Sequence, residues 1–152
     1  MTSETIIDLL LVEDTPEDVE LTLEALAEDM ALNRIHVARD GEAALRFLLG
    51  PDGRSPRSVM PLVILLDIKL PKIDGLEVLE AIRNHPSTAQ LPVVLLTSSA
   101  HESDIHRGYR LHANSYIVKP VQFDDFVRAV KDVGLYWRDL NRSPTRPEGQ
   151  PS

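Results

Sequence analysis

The chain of 152 residues contains no cysteine, which excludes disulfides and thiolate chemistry. No apolar run approaches the roughly 18 residues needed to cross a bilayer, and no basic leader followed by an apolar core marks a secretory signal. A soluble, cytoplasmic protein that does not enter a membrane is expected. Cations are scarce as well: 16 Lys and Arg stand against 24 Asp and Glu, for a formal charge of −8. They form no basic stripe, so no nucleic-acid surface is expected. The length suits one complete core rather than two domains.

What is present is a series of short apolar runs that end in polar residues. The central one lies in Leu62 to Gly75, LVILLDIKLPKIDG, where Val63, Ile64, Leu65 and Leu66 stop at Asp67. A continuous apolar run of this length suits a strand covered on both faces. Asp67 would then stand at the carboxyl edge of a parallel sheet, where such folds bind ligands. Ile6 to Val12 is a second run, ending in Glu13 and Asp14. Thr15, Pro16, Glu17 and Asp18 follow with a hydroxyl for a cap, a proline for the first helical position and acids for the first turn. Val19, Leu23, Leu26 and Met30 give that helix one buried stripe, to about residue 31.

Arg34 to Ala38 alternates like an edge strand, and Glu42 to Leu49 has helical spacing up to Gly50-Pro51. Residues 50–61 show no periodicity and predict a long exposed connection. Beyond the Asp67 strand, Asp74-Gly75-Leu76-Glu77 predicts a capped helix ending near Pro86. Pro92 to Leu96 is a strand that delivers Thr97, Ser98 and Ser99. The helix from His101 to Leu111 is poorly apolar and is expected to be the most exposed and mobile. Ser115 to Val118 is a fifth strand leading to Lys119-Pro120, and Phe123, Phe126, Val127 and Val130 mark a fifth helix. Asn141 to Ser152 has the composition of a disordered tail. His101, His106 and His112 do not share a helical face and predict no metal cluster.

Five strands alternating with five helices predict an α/β domain over residues 5–140, with a parallel sheet and helices on both faces. The strand ends bring Glu13, Asp14, Asp67, Thr97 and Lys119 to one edge. Carboxylates gathered this way repel one another unless a cation neutralises them, which points to a hard divalent ion, Mg²⁺ first. A carboxylate nucleophile, such an ion, an ammonium and a hydroxyl are the parts of phosphoryl transfer.

Each of these residues alone has an ordinary explanation as a strand cap or surface side chain. Their joint order and spacing, Glu13-Asp14, Asp67 followed by LPKIDG, Thr97, Tyr116 and Lys119-Pro120, resembles the receiver domain of bacterial two-component response regulators, over roughly residues 5–137. The resemblance implies a (βα)5 flavodoxin-like fold in which Asp67 accepts a phosphoryl group from a phosphohistidine on a sensor kinase. It implies Mg²⁺ held by Asp14 and Asp67, by Glu13 through water, and by the backbone carbonyl of Lys69. Lys119 would contact the phosphoryl oxygens, with its bond to Pro120 cis. Thr97 and Tyr116 would form the switch, and the protein would be a signalling phosphoacceptor rather than an enzyme of free substrates.

The connection over 50–61, the LLTSSA and HANSYIVKPV segments and the aromatic end of the last helix narrow the resemblance. They are similar to stand-alone regulators of phytochrome-type histidine kinases. That implies a receiver without an output domain. It also implies a homodimer through the fourth helix, fifth strand and fifth helix, to which Tyr136, Trp137 and Leu140 offer apolar area. Two rival functions are an unphosphorylated pseudo-receiver, for which no acid or lysine is missing, and a Mg²⁺-dependent aspartyl-phosphate phosphatase. The latter wants an acid two residues after the nucleophile, where this chain has Lys69.

Overall fold

The computed structural model describes residues 7–27, 34–98 and 102–132, with the side chains of residues 102–104 excepted. Strands and helices alternate along the chain: β1 (Leu9–Val12), α1 (Pro16–Leu26), β2 (Ile35–Ala38), α2 (Gly41–Leu49), β3 (Val63–Asp67), α3 (Gly75–Asn84), β4 (Val93–Thr97), α4 (Glu102–Arg110), β5 (Ser115–Val118) and α5 (Phe123–Asp132). The strands form one sheet in the order β2-β1-β3-β4-β5, with every neighbouring pair parallel. Each strand therefore points its carboxyl end to the same edge.

The apolar runs form strands because the sheet is covered on both faces. Alternate residues divide cleanly between two cores. Leu9 and Leu11 of β1 and Val63 and Leu65 of β3 meet Val19 and Leu26 of α1 and Phe126, Ala129 and Val130 of α5. On the opposite face Leu10, Val12, Ile64 and Leu66 meet Ala44 and Leu48 of α2 and Leu76, Leu79 and Ile82 of α3. Leu95 of β4 belongs to this second face and lies directly under Gly108 of α4.

Several local expectations need correction. Thr15 occupies the N-cap of α1 with an extended backbone, but its hydroxyl makes no capping bond, and Pro16 starts the helix. The Thr15 amide turns instead to Glu13 Oε2 at 3.2 Å. The ladder of β1 begins only at Leu9, and just before it the Arg34 carbonyl accepts the amides of both Asp8 and Leu9, at 2.8 and 3.4 Å. The connection after α2 is exposed over residues 51–55 but then folds back. The amides of Ser55 and Arg57 bond the carbonyls of Leu49 and Leu48 at 2.8 and 3.0 Å. The Arg57 guanidinium lies 4.1 Å over the Phe47 ring, which stacks on His36 at 4.1 Å. This connection is thus a strap over α2. Met30, Ser99, His101, Tyr136, Trp137, Leu140 and the expected tail lie outside the described residues.

Candidate functional site at the carboxyl edge of the sheet

Parallel pairing carries each strand's last residue to the rim and fixes the residue just beyond it. The amide of Glu13 bonds the Ala38 carbonyl at 3.0 Å, that of Ile68 the Leu96 carbonyl at 2.9 Å, and that of Lys119 the Thr97 carbonyl at 2.7 Å. Side chains at these positions therefore start from rigid ladder ends. Glu13 is fully buried, Asp67 is 2% exposed and Thr97 4%, while Asp14 and Lys119 are half-buried. The peptide bond between Lys119 and Pro120 is cis.

Helix α3 approaches the acid closely. A Cβ at Gly75 would collide with the carbonyl of Asp67, so no other residue fits there without displacing the strand end. The Gly75 amide bonds the Ile68 carbonyl at 2.7 Å. Behind it a full capping box sets the start of α3: Asp74 accepts from the Glu77 amide at 3.0 Å and Glu77 from the Asp74 amide at 3.2 Å.

One carboxylate oxygen each from Glu13, Asp14 and Asp67 lie within 4.8 Å of one another. The Lys119 ammonium donates to Glu13 Oε1 at 3.0 Å, to Asp67 Oδ2 at 3.1 Å and to Asp18 Oδ2 at 2.9 Å. The other oxygen of Asp67 accepts the Lys69 amide at 3.2 Å. Burial, and then the neighbouring Asp67 carboxyl, push Glu13 up to about 7. For Lys119, burial alone would favour the neutral amine, but hydrogen bonds to Asp18 and Glu13 and the charge of Asp67 outweigh it and raise the group above its ordinary range.

Three carboxylates thus share one ammonium, with Asp14 beside them, an excess of negative charge in a cluster of carboxylate oxygens. That donor set fits a hard divalent cation, and the residues that would hold one are Asp14 and Asp67, with Glu13 beside them. Burial first, and then the neighbouring Asp67 carboxyl, make Glu13 resist ionisation.

Thr97 ends β4 opposite Val118 in the ladder, at the same rim. Tyr116 pairs with Leu95, two positions further back. It is half-buried against the α2/α3 core and makes an edge-to-face contact with Tyr109 at 6.4 Å. Tyr109 and Val118 are 47% and 39% exposed. Asp18 was not expected in this site. Its signal in the sequence is only its place in the first turn of the helix that follows Glu13-Asp14, where an acid already has a reason to be.

Fold and rim together define a class, the open α/β domain with an acidic, lysine-bearing site at the carboxyl edge of its sheet. Within that class the chain belongs to the response regulator receiver domain family, whose model matches residues 9–131. It is 42% identical over 136 residues to the probable methanogenesis regulatory protein FilR2 of Methanothrix harundinacea, covering 90% of this chain and 86% of that protein. With the response regulator Rcp1 of Synechocystis sp. it shares 39% over 136 residues, 90% of this chain and 92% of Rcp1. A Mn²⁺-bound structure of Rcp1 superposes with a TM-score of 0.66, covering 85% of this chain and 92% of that one. The bacteriophytochrome response regulator AtBRR superposes at 0.76 with 44% identity, covering 88% of this chain and 96% of AtBRR. Among the described residues no helix is long and apolar enough to cross a membrane.

Proposed function

We propose that this receiver is a phosphorylation-controlled switch that takes a phosphoryl group onto Asp67 from the phosphohistidine of a sensor histidine kinase. The observation that carries the reading is the Lys119 ammonium 3.1 Å from Asp67 Oδ2, beside the converging oxygens of Glu13, Asp14 and Asp67. An Asp67 oxygen attacks phosphorus, the phosphorus–nitrogen bond breaks, and its electron pair leaves on the imidazole nitrogen. Lys119 donates to a phosphoryl oxygen as charge gathers there. Asp14 and Asp67 would hold Mg²⁺, with Glu13 through water and the Lys69 carbonyl as a further ligand. The ion would supply charge neutralisation at the phosphoryl oxygens. The Mn²⁺ bound by Rcp1 supports a divalent ion in a relative of this identity.

Thr97, on the same rim, would bond the phosphoryl group through its hydroxyl. Tyr116 would turn inward and reshape the face of α4, β5 and α5. That face is our candidate for homodimer contact, with Tyr109 and Val118 as its exposed apolar area. A phytochrome-type kinase is the proposed donor, supported by the similarity to AtBRR. The phosphatase alternative has Lys69 where it needs an acid, and the receiver's acids and lysine are all present.

The test is transfer of labelled phosphate, with Mg²⁺, from an autophosphorylated phytochrome-type kinase to the wild type and to Asp67→Asn. Label on the wild type alone is expected. Label on both moves the acceptor elsewhere, and label on neither, repeated with acetyl phosphate as donor, rejects phosphoacceptance.

A further inference from the structure

An ammonium has three N–H donors, and at Lys119 each has its own acceptor. Glu13 and Asp67 take two from inside the rim, with side chains 0% and 4% exposed. The third goes outward to Asp18, whose side chain is 32% exposed and which makes the shortest contact, 2.9 Å. Asp18 comes from the first turn of α1, 101 residues before the lysine. An acid in a helical first turn ordinarily serves the free amides there. This one has an oxygen on Lys119.

The entry of α1 makes that placement rigid. Pro16 fixes the first helical residue, and the Thr15 amide is held by Glu13 Oε2 at 3.2 Å. Glu13 therefore anchors the helix that presents Asp18, and it shares the lysine with Asp18. Asp18 is not among the carboxylates whose oxygens converge within 4.8 Å. Its route to the phosphoacceptor runs through the ammonium.

We propose that Asp18 is a positioning residue for phosphoryl acceptance: it closes the solvent side of the Lys119 ammonium, so that one N–H stays directed at Asp67 and at the phosphoryl oxygens that arrive there. This rests on the phosphoacceptor reading above. A lysine stem has four rotatable bonds and loses considerable entropy when held. With Asp18 in place that cost is met before the phosphoryl group arrives, and without it part of the cost falls on the reaction.

Two measurements test this separately. The first is the ¹⁵N ammonium resonance of Lys119, assigned by its loss in Lys119→Met. It is expected to be slowly exchanging in the wild type, broadened in Asp18→Asn and recovered at least in part in Asp18→Glu. An unchanged resonance in Asp18→Asn overturns the positioning role whether or not the protein accepts phosphate.

The second is uptake from acetyl phosphate by the wild type, Asp18→Asn, Lys119→Met and the double variant, each first checked for a native circular dichroism spectrum and assayed below the onset of its thermal unfolding. Asp18→Asn is expected to slow uptake roughly three- to tenfold, the loss of one charge-assisted hydrogen bond, and to have no further effect in the Lys119→Met background. An equal effect in both backgrounds overturns the inference. No uptake by the wild type rejects the parent reading instead, and the resonance alone then decides whether Asp18 orients the lysine.

Discussion

Two cations stand at opposite edges of the same sheet, and their partners differ in kind. At the carboxyl edge Lys119 donates to three carboxylates, groups that can lose charge, bind an ion or be modified. At the amino edge Arg83, near the end of α3, donates to main-chain carbonyls: Nε and Nη2 to His112 at 3.0 and 2.8 Å, Nη1 to Ala89 and Leu91 at 3.1 and 2.8 Å. Nη2 also reaches Asn114 Oδ1 at 3.1 Å, and that oxygen accepts the amide of Val93, the first residue of β4. Carbonyls cannot change charge, so the arginine fork ties α3 permanently to the entries of β4 and β5. The lysine cluster carries excess charge and is adjustable. One edge holds the fold, and the other holds a state that chemistry can alter.

The largest effect should follow from breaking the fixed edge. Arg83→Ala leaves several carbonyls without donors and is expected to cost about 3 kcal/mol of stability, measured by urea unfolding. Arg83→Lys should recover less than half, since a point donor cannot span the fork. Phosphate uptake per folded molecule should stay at the wild-type level. A loss of uptake in folded Arg83→Ala would show that the two edges are not separate.

The adjustable edge should respond the other way. Burial and Asp67 oppose the ionisation of Glu13, so Glu13→Gln is expected to raise metal-free stability by about 1 kcal/mol. Mg²⁺ at about ten times its dissociation constant should stabilise the wild type by about 1.4 kcal/mol. Asp14→Asn should abolish that gain, and chelation should reverse it. Differential scanning calorimetry with and without Mg²⁺ reads all of these. A Mg²⁺ gain that survives in Asp14→Asn would place the ion elsewhere.

The same contrast explains what the sequence shows and what it hides. Strand ends are legible because a fully buried strand must be apolar along its length, so the abrupt change at Val12 to Glu13 and at Leu66 to Asp67 marks the rim. Parallel order then gathers Glu13, Asp14, Asp67 and Lys119 without further information. Asp18 is hidden because an acid in a first turn is already explained by the helix. Arg83 is hidden for a deeper reason: its partners are carbonyls, which every residue carries and no pattern announces. The strap over α2 escapes notice likewise, since residues 50–61 have no period and their anchor is a stack of side chains from three separate segments.

That stack offers the smallest test, on an ionisable group at neither edge. His36 of β2 lies against Phe47, with Arg57 on the Phe47 ring. Burial and the Arg57 charge both hold His36 below its ordinary value of 6.5. A base lowered in the folded state binds fewer protons there than in the unfolded chain, so its contribution to stability is present above 6.5 and is lost as pH falls from there through the lower folded value. Glu13, raised to about 7, contributes with the opposite sign over the same range, so the test is the difference between the wild type and His36→Gln: the variant should gain relative to the wild type as pH falls below 6.5. The partners of His36 are fixed, like those of Arg83, so the effect should appear in denaturant midpoints and not in phosphate uptake. If uptake instead follows the histidine, the strap and the rim are coupled, and the line between holding the fold and holding a state must be drawn through α2.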